Sequence, residues 1–280
     1  MNLPPLDIAV LLRAHRLRPK KGLGQNFLAD PAALERIVSA AEIPTGACVL
    51  EIGPGLGSLT RCLARAAGSV IAVELDRALL PALQEVLAPF ANVRILAGDI
   101  LAFDMAELAP APGYLVVANI PYYITSAVIR HLLEAPIKPA RIVLTVQREI
   151  AERIIAPPGK LSLLALSVQV YGQPSIAARI PAGAFYPPPK VDSAVVRVDL
   201  YPQPQIDSGH LTTFFRLAKA GFSQKRKMLR NALTGGLGQP PHQVEQLLHA
   251  AGIDARRRAE TLALDEWRRL TEAAAARPRQ

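Results

Sequence analysis

The spacing of apolar positions changes several times along the chain. Over residues 31–44, Leu34, Ile37, Val38 and Ala41 share one helical face, with Asp30 placed to cap the helix and Pro31 in its first turn. Short runs that are apolar on both faces follow, and each predicts a strand: ACVLEIG (47–53), SVIAVELD (69–76), NVRILAGD (92–99), YLVVAN (114–119) and ARIVLTVQ (140–147). Helices are predicted between them at 58–67, with Ser58 as cap, at 77–88, from about Ser126 to Glu134, and near 148–155. Strands of this kind alternating with helices predict a parallel sheet covered on each side. LALSVQVY (164–171) and SAVVRVDL (193–200) read as two further strands. They lack a long helix between them, so one of the two is expected to run antiparallel. Beyond residue 206 the pattern is helical throughout: 209–220, 224–234, 241–250, from 256–258 onward, and 265–276. Pro202 and Pro204 mark a linker, which predicts an α/β domain over 1–206 and a smaller all-helical domain over 207–280.

Composition narrows this picture. Half of the 280 residues are apolar, ample material for a core. No apolar stretch reaches the roughly 18 residues of a spanning helix, so no membrane partner is expected. The early run IAVLL (8–12) is short for a leader and has no basic residue before it. Cys48 and Cys62 have no metal-ligand partners at zinc spacing; they read as reduced core thiols of a cytoplasmic protein without a metal. The net charge is +9, and residues 207–280 carry 13 basic against 7 acidic side chains. A basic tail domain on a nearly neutral main domain points to a polyanionic partner, most often nucleic acid. No self-complementary helix seam stands out, so a monomer is expected.

The chemistry lies at the predicted strand ends. EIGPGLGSLT (51–60) follows the first strand and opens a helix. Gly53, Gly55 and Gly57 let the backbone approach a ligand, and the helix start offers free N–H groups. Glu74 ends the second strand 21 positions after Gly53, where a carboxylate can accept both hydroxyls of a ribose. Asp99 ends the third in GDI, placed to accept from an adenine amine. Either carboxylate, taken alone, is equally a helix cap. The glycine spacing departs from the dinucleotide fingerprint at Ser58, leaving a nicotinamide dinucleotide or S-adenosylmethionine as ligand.

The fourth strand separates these two. It stops at Asn119 and continues as NIPYY (119–123), which has no evident role in hydride transfer. An aromatic ring amine is a poor nucleophile because its lone pair is delocalised. Two carbonyl oxygens accepting its hydrogens favour a pyramidal nitrogen; the Asn119 side chain and a backbone carbonyl beside Pro121 could supply them. Pro121 removes a donor and fixes the turn, and Tyr122 can stack on a base. The segment reads as a clamp for a flipped-out nucleobase.

With these motifs together, the chain resembles the ribosomal RNA adenine dimethyltransferase family, in its bacterial small-subunit branch. The resemblance covers about residues 18 to 270. It rests on KKGLGQNFLAD (20–30), EIGPGLGSLT, VELD (73–76), GDI (98–100), NIPYYIT (119–125), VQREIAERI (146–154), FYPPPKVDSAVVRV (185–198) and FSQKRKMLRNAL (222–233). It implies a Rossmann-like S-adenosylmethionine-dependent methyltransferase sheet and dimethylation of two adjacent adenines in a hairpin near the RNA 3′ end. It also implies work on the small ribosomal subunit RNA or its immature 30S particle. By motif match, Asn26, Leu28, Gly53, Glu74, Asp99 and Asn119 would contact the cofactor, with Gly55 in the same loop. Tyr122 and Phe185 would sandwich the adenine. Pro187 to Pro189 would hold the Phe185 loop stiff and leave its ring partly packed, awaiting a base. One departure is KLSLLA (160–165), where related sequences usually carry a Tyr-Gly pair.

Three segments complete the expectation. RAHRLRPKKG (13–22) packs five Lys or Arg into nine positions and reads as a basic arm, with Lys20 and Lys21 on RNA phosphates. QKRKMLR (224–230) is expected as a helix with Met228 and Leu229 inward, and with Lys225, Arg226, Lys227 and Arg230 as RNA contacts or an exposed face. RRR (256–258) is similar but vaguer. Rival readings are the large-subunit methyltransferase of the macrolide-resistance type, a non-catalytic RNA-binding assembly or transcription factor, and a dehydrogenase.

Overall fold

Residues 3–108, 112–224 and 226–276 are described in this computed structural model. The chain enters through α1 (Ile8–Ala14) and a two-residue strand β1 (Phe27–Leu28). The helix α2 (Pro31–Ala41) starts where Asp30 accepts from the N–H groups of Ala32 and Ala33, both at 3.2 Å. Alternation then follows the predicted order: β2 (Cys48–Ile52), α3 (Ser58–Ala66), β3 (Ser69–Glu74), α4 (Leu80–Leu87), β4 (Val93–Ala97), α5 (Met105–Leu108), β5 (Leu115–Asn119), α6 (Thr125–Glu134), β6 (Arg141–Gln147) and α7 (Arg148–Ile154). Next come α8 (Leu163–Gln169), β7 (Gly172–Ile180), β8 (Phe185–Tyr186) and β9 (Ser193–Leu200). Four helices close the described chain: α9 (Leu211–Phe222), α10 (Leu229–Leu237), α11 (Pro241–Ala250) and α12 (Leu264–Ala275).

Seven strands form one sheet in the order β4-β3-β2-β5-β6-β9-β7. The first five in this order are mutually parallel, and β9 runs antiparallel to β6. From β2 the chain winds outward through β3 and β4, then returns to β5 on the other side of β2. Register between β2 and β5 covers Val49–Leu115 and Leu50–Val116, short of the carboxyl ends of both strands. A parallel sheet leaves its ligand crevice at such a reversal of winding. Behind the crevice, Ile37 of α2 and Leu63 of α3 pack on Val49, Val117, Val143 and Val195 of the sheet, all buried.

The chain divides into two compact units. The first comprises Met1–Ala151 and Ser175–Leu200, the second Glu152–Pro174 and Tyr201–Gln280. The helical unit therefore takes in residues 152–174, which the sequence assigns to the α/β part. The reason is local: Tyr201 and Gln205 N–H groups bond to the Tyr171 and Val170 carbonyls at 2.9 and 2.8 Å, tying the proline linker to that segment. Phe214, Leu217, Leu233, Leu247 and Trp267 form the buried interior of the helical unit.

Several expected elements differ. LALSVQVY is not a strand: Ser162 Oγ accepts from Ala165 N at 3.2 Å and starts α8, whose Ala165, Leu166 and Val168 are buried. The strand is the next segment, β7, whose interior alternates between exposed and half-buried positions despite Pro174. The helix expected from 224 begins only at Leu229. Leu229 is buried as expected, but Met228 is 45% exposed rather than inward. Residues 256–258 form a turn before a short 3-10 segment, Ala259–Thr261, rather than a helix start. Lys225 lies outside the described residues.

Candidate active site

The crevice is built by turns that leave the carboxyl ends of β2, β3 and β5. After β2 the chain passes Gly53, Gly55 and Gly57 with φ of 70, 60 and 86°, the left-handed region where a Cβ is disfavoured. Gly55 carries a second constraint, since a Cβ there would sit 3.0 Å from the Phe27 ring. At Gly53 the nearest atom to such a Cβ is the Asn119 carbonyl oxygen at 4.0 Å, so the loop faces open space. Gly57 precedes α3 without a side-chain cap, which leaves the first N–H groups of this helix for a ligand. The open glycine turn and the uncapped N–H groups of α3 fit a nucleoside with a short charged tail.

Glu74 is buried at the end of β3 and lines the crevice. Its Oε2 accepts from Gly55 N at 2.9 Å and its Oε1 from Asp76 N at 2.7 Å. Burial pushes its carboxyl above the ordinary value, while the two backbone N–H groups oppose that rise. Each oxygen keeps a second lone pair for a ligand hydroxyl. Asp99 also lines the crevice, at an exposed position. Its Oδ1 accepts from Leu101 N at 3.0 Å, so it is a helix cap and a crevice carboxylate at once.

Asn119 ends β5, and its Nδ2 donates to the Asn26 carbonyl at 3.2 Å. With the nitrogen committed there, Oδ1 is the half of the amide left for a ligand. Pro121 opens the 3-10 turn Tyr122–Ile124, and its carbonyl accepts from Ile124 N. The half-buried Tyr122 shares a hydrogen bond with the buried Ser193 hydroxyl, 2.7 Å apart, which fixes the ring in the crevice wall. Burial raises its phenol pKa, and the Ser193 hydrogen bond opposes this. Asn26 and Leu28 line the same crevice.

Phe185 departs from expectation. It lines the crevice but is 4% exposed and belongs to the core cluster with Leu28, which it pairs with between β8 and β1. The ring is packed before any base arrives. The three prolines after it predict a stiff loop, but not the two-residue β1–β8 ladder that carries this loop into the core.

Sequence reasoning also missed residues. Glu51, just before Gly53, is 1% exposed and lines the crevice. Burial pushes its carboxyl up to about 8, with Glu74 adding to the rise; Thr60 lies near enough to oppose it. Neither Glu51 Oε2 nor Thr60 Oγ1 has a hydrogen bond of ordinary geometry. Asp76, within VELD, has no assigned role in the sequence, because its partners Lys20 and Gln25 lie more than 50 positions upstream. Lys20 is thus held at Asp76, while Lys21 is exposed. Arg226 and Lys227 are exposed in the helical unit, whereas Arg230 pairs with Glu245 at 2.6 Å. Among the described residues no group of three or more His, Cys, Asp or Glu could hold a metal ion, and no helix is long and apolar enough to cross a membrane.

This sheet order and crevice define the class: the fold is that of the S-adenosylmethionine-dependent methyltransferases. The crystal structure of the 23S rRNA methyltransferase ErmE matches with a TM-score of 0.71 at 29% identity, covering 89% of this chain and 99% of that one. A dimethyladenosine transferase from Plasmodium falciparum matches with a TM-score of 0.73 at 26% identity, covering 87% and 95%. Ribosomal RNA small subunit methyltransferase A of Dehalococcoides mccartyi (strain CBDB1) is 47% identical over 261 residues, 93% of this chain and 90% of that protein. The pattern describing ribosomal RNA adenine dimethylases matches residues 16–276. The chain belongs to the ribosomal RNA adenine dimethylase family and is an enzyme of that reaction.

Proposed function

We propose that the protein dimethylates the N6 amines of two adjacent adenines in the 3′-terminal hairpin of small-subunit ribosomal RNA, with S-adenosylmethionine as donor. It would act as a cytoplasmic monomer on an immature small subunit. The observation that carries this reading is the Asn119 amide, held by Asn26 so that its oxygen is left for a ligand in the crevice that Glu74 and Asp99 also line. When bound, the donor supplies a methyl group on a positively charged sulfur, an electrophile that a neutral amine can attack. Glu74 would hold the ribose hydroxyls, Asp99 the adenine amine, and Gly53 and Gly55 the tail. Asn26 and Leu28 would close the crevice from the other side.

On the RNA side, Asn119 Oδ1 and a backbone carbonyl beside Pro121 would accept the two amine hydrogens and turn the nitrogen lone pair outward. Interactions of this kind matter most in the transition state, where the nitrogen becomes pyramidal. Tyr122 would stack on the flipped base, and the packed Phe185 would form the opposite wall. The C-terminal helical region, residues 207–280 in the sequence reading, would bind RNA through Arg226 and Lys227, with Lys21 contributing from the N-terminal arm. The small-subunit substrate is favoured by the relative from Dehalococcoides mccartyi, whose name carries it.

The test uses small and large ribosomal subunits lacking the modification, incubated with the protein and labelled S-adenosylmethionine. Label on two neighbouring adenines of the small-subunit 3′ hairpin is the expected result. Label on large-subunit RNA, or on neither subunit, overturns the substrate assignment.

A further inference from the structure

Residues 20–27 reach three of the turns that border the crevice, at Asp76, at Asn119–Pro121 and at Gly55. Lys20 Nζ donates to Asp76 Oδ1 and Gln25 Nε2 to Asp76 Oδ2, each at 2.8 Å. Gln25 Oε1 accepts from the Lys20 backbone N–H at 2.8 Å, which closes a ring of three residues. Gly24, at φ 60°, lies so close beneath the base-clamp turn that a Cβ there would meet Pro121 Cβ at 3.2 Å. The Asn26 carbonyl holds the Asn119 amide, and the Phe27 ring covers Gly55.

Asp76 is the point where this segment joins the cofactor side. The residue is 7% exposed, and its own N–H fixes Glu74 Oε1. The Asp76 carboxylate also caps the turn Arg77–Leu79 by accepting from Ala78 N at 3.1 Å, which sets the backbone that carries this N–H. Two carboxylates two positions apart at one strand end repel each other. A cation brought to Asp76 offsets that repulsion, and Lys20 provides it.

We infer that Asp76 is a positioning residue for methyl transfer: it fastens residues 20–27 across the crevice through Lys20 and Gln25 and holds the backbone that aims Glu74. This rests on the reading of Glu74 as the ribose acceptor. Docking of the segment and cofactor binding are then linked, and by reciprocity each strengthens the other. Lys20 serves the crevice first and RNA phosphate only at the cost of this contact.

Asp76→Asn keeps an oxygen for the turn cap but loses the charge that Lys20 meets. Lys20→Met and Gln25→Ala remove the tie and leave the cap untouched. Affinity for S-adenosylhomocysteine is measured by calorimetry on the full chain, with melting temperature as a check on folding. Asp76→Asn and Lys20→Met should each weaken binding about tenfold, and the double variant should be little worse than either, because both remove the same contact. Saturating S-adenosylhomocysteine should protect the bond after Lys21 from trypsin in the parent protein and much less in these variants. In turnover on RNA, KM for the donor should rise by more than kcat falls. If Asp76→Asn does not fold, Lys20→Met and Gln25→Ala carry the same expectation. Folded variants with parental affinity, or effects that multiply in the double variant, overturn the inference. Glu74→Ala measured alongside separates the two readings: unchanged affinity there sinks the ribose assignment, whereas loss there without loss in the other variants sinks only the role of Asp76.

Discussion

Glu51 makes stability depend on pH in a direction opposite to that of a salt-bridged carboxylate. Its carboxyl is 1% exposed and is pushed up to about 8 from an ordinary 4.5, chiefly by burial. Between those values the folded protein keeps a proton that the unfolded chain releases. The stabilisation from the neutral acid is therefore complete below about 4.5 and is lost as pH rises toward and through about 8. At about 1.4 kcal/mol per unit, the full difference is on the order of 3–5 kcal/mol, most of it spent between about pH 5 and about pH 9. Glu51→Gln keeps the shape and removes the titration. Urea unfolding of both proteins across that range should give curves close together at the acid end. At the alkaline end the variant should be more stable by several kcal/mol, a shift of about 2–4 °C in melting temperature for each kcal/mol. A gap that is constant with pH, or that narrows as pH rises, would refute a buried neutral carboxyl at this position.

The site supports four shorter predictions. Glu74→Ala should weaken S-adenosylmethionine binding by about 1.5–3 kcal/mol, since a charged acceptor for the ribose is lost; calorimetry reads it directly. Asn119→Ala should lower single-turnover methylation far more than RNA affinity, because the amide acts on the amine as it reacts. Phe185→Ala should now cost about 3–5 kcal/mol of stability, as for a packed core ring; Phe185→Leu should melt nearer the parent and still lose methylation. Replacing Arg226 and Lys227 with glutamine should lower the log–log salt slope of RNA binding by about 1 per lost phosphate contact, with calorimetric cofactor affinity unchanged.

The predicted parallel strands were legible because most are short runs apolar on both faces between turn residues, as a covered sheet requires, whereas β4, at the sheet edge, keeps Arg94 exposed. Glycines at strand ends, with Glu74, Asp99 and NIPYY after them, placed the crevice for the same reason: ligands sit at the carboxyl ends of such strands. What escaped notice depended on distant partners. LALSVQVY is a local exception: it reads as a strand, but the Ser162 cap just before it starts a helix with Ala165, Leu166 and Val168 buried. Phe185 reads as a base-stacking ring from its motif, yet its burial is set by Leu28 more than 150 positions away. The Lys20–Gln25–Asp76 ring joins an arm that reads as a set of RNA phosphate contacts to a strand end, and local spacing carries no trace of it. Glu51 looks like an ordinary polar residue until the sheet encloses it.

Charge illustrates the same division between what composition tells and what folding decides. Residues 207–280 have an excess of basic side chains, but the excess is not spread evenly over the surface. Arg257 is bound to Glu266 and to the Thr261 carbonyl, and Arg268 to Asp265 and Glu272. Arg230 meets Glu245, and Arg269 lies within reach of Asp265. For these arginines, an RNA phosphate must displace a carboxylate, which removes much of the gain from counterion release. Arg226 and Lys227 are exposed, and no carboxylate among the described residues lies within ion-pair distance of them. Their helix-free turn, held at one end by Leu229 N bonding to the Arg257 carbonyl, presents both cations without the competition that α12 imposes on its own arginines. Phosphate contacts should therefore include this turn, together with the exposed Arg216, Lys219 and Arg256. Arg256 apart, the triple arginine at 256–258 is less suited: Arg257 is pinned to Glu266, and Arg258 lies 3.9 Å from Glu260. A basic run in a sequence counts charges, but the carboxylates around each one decide which remain for RNA.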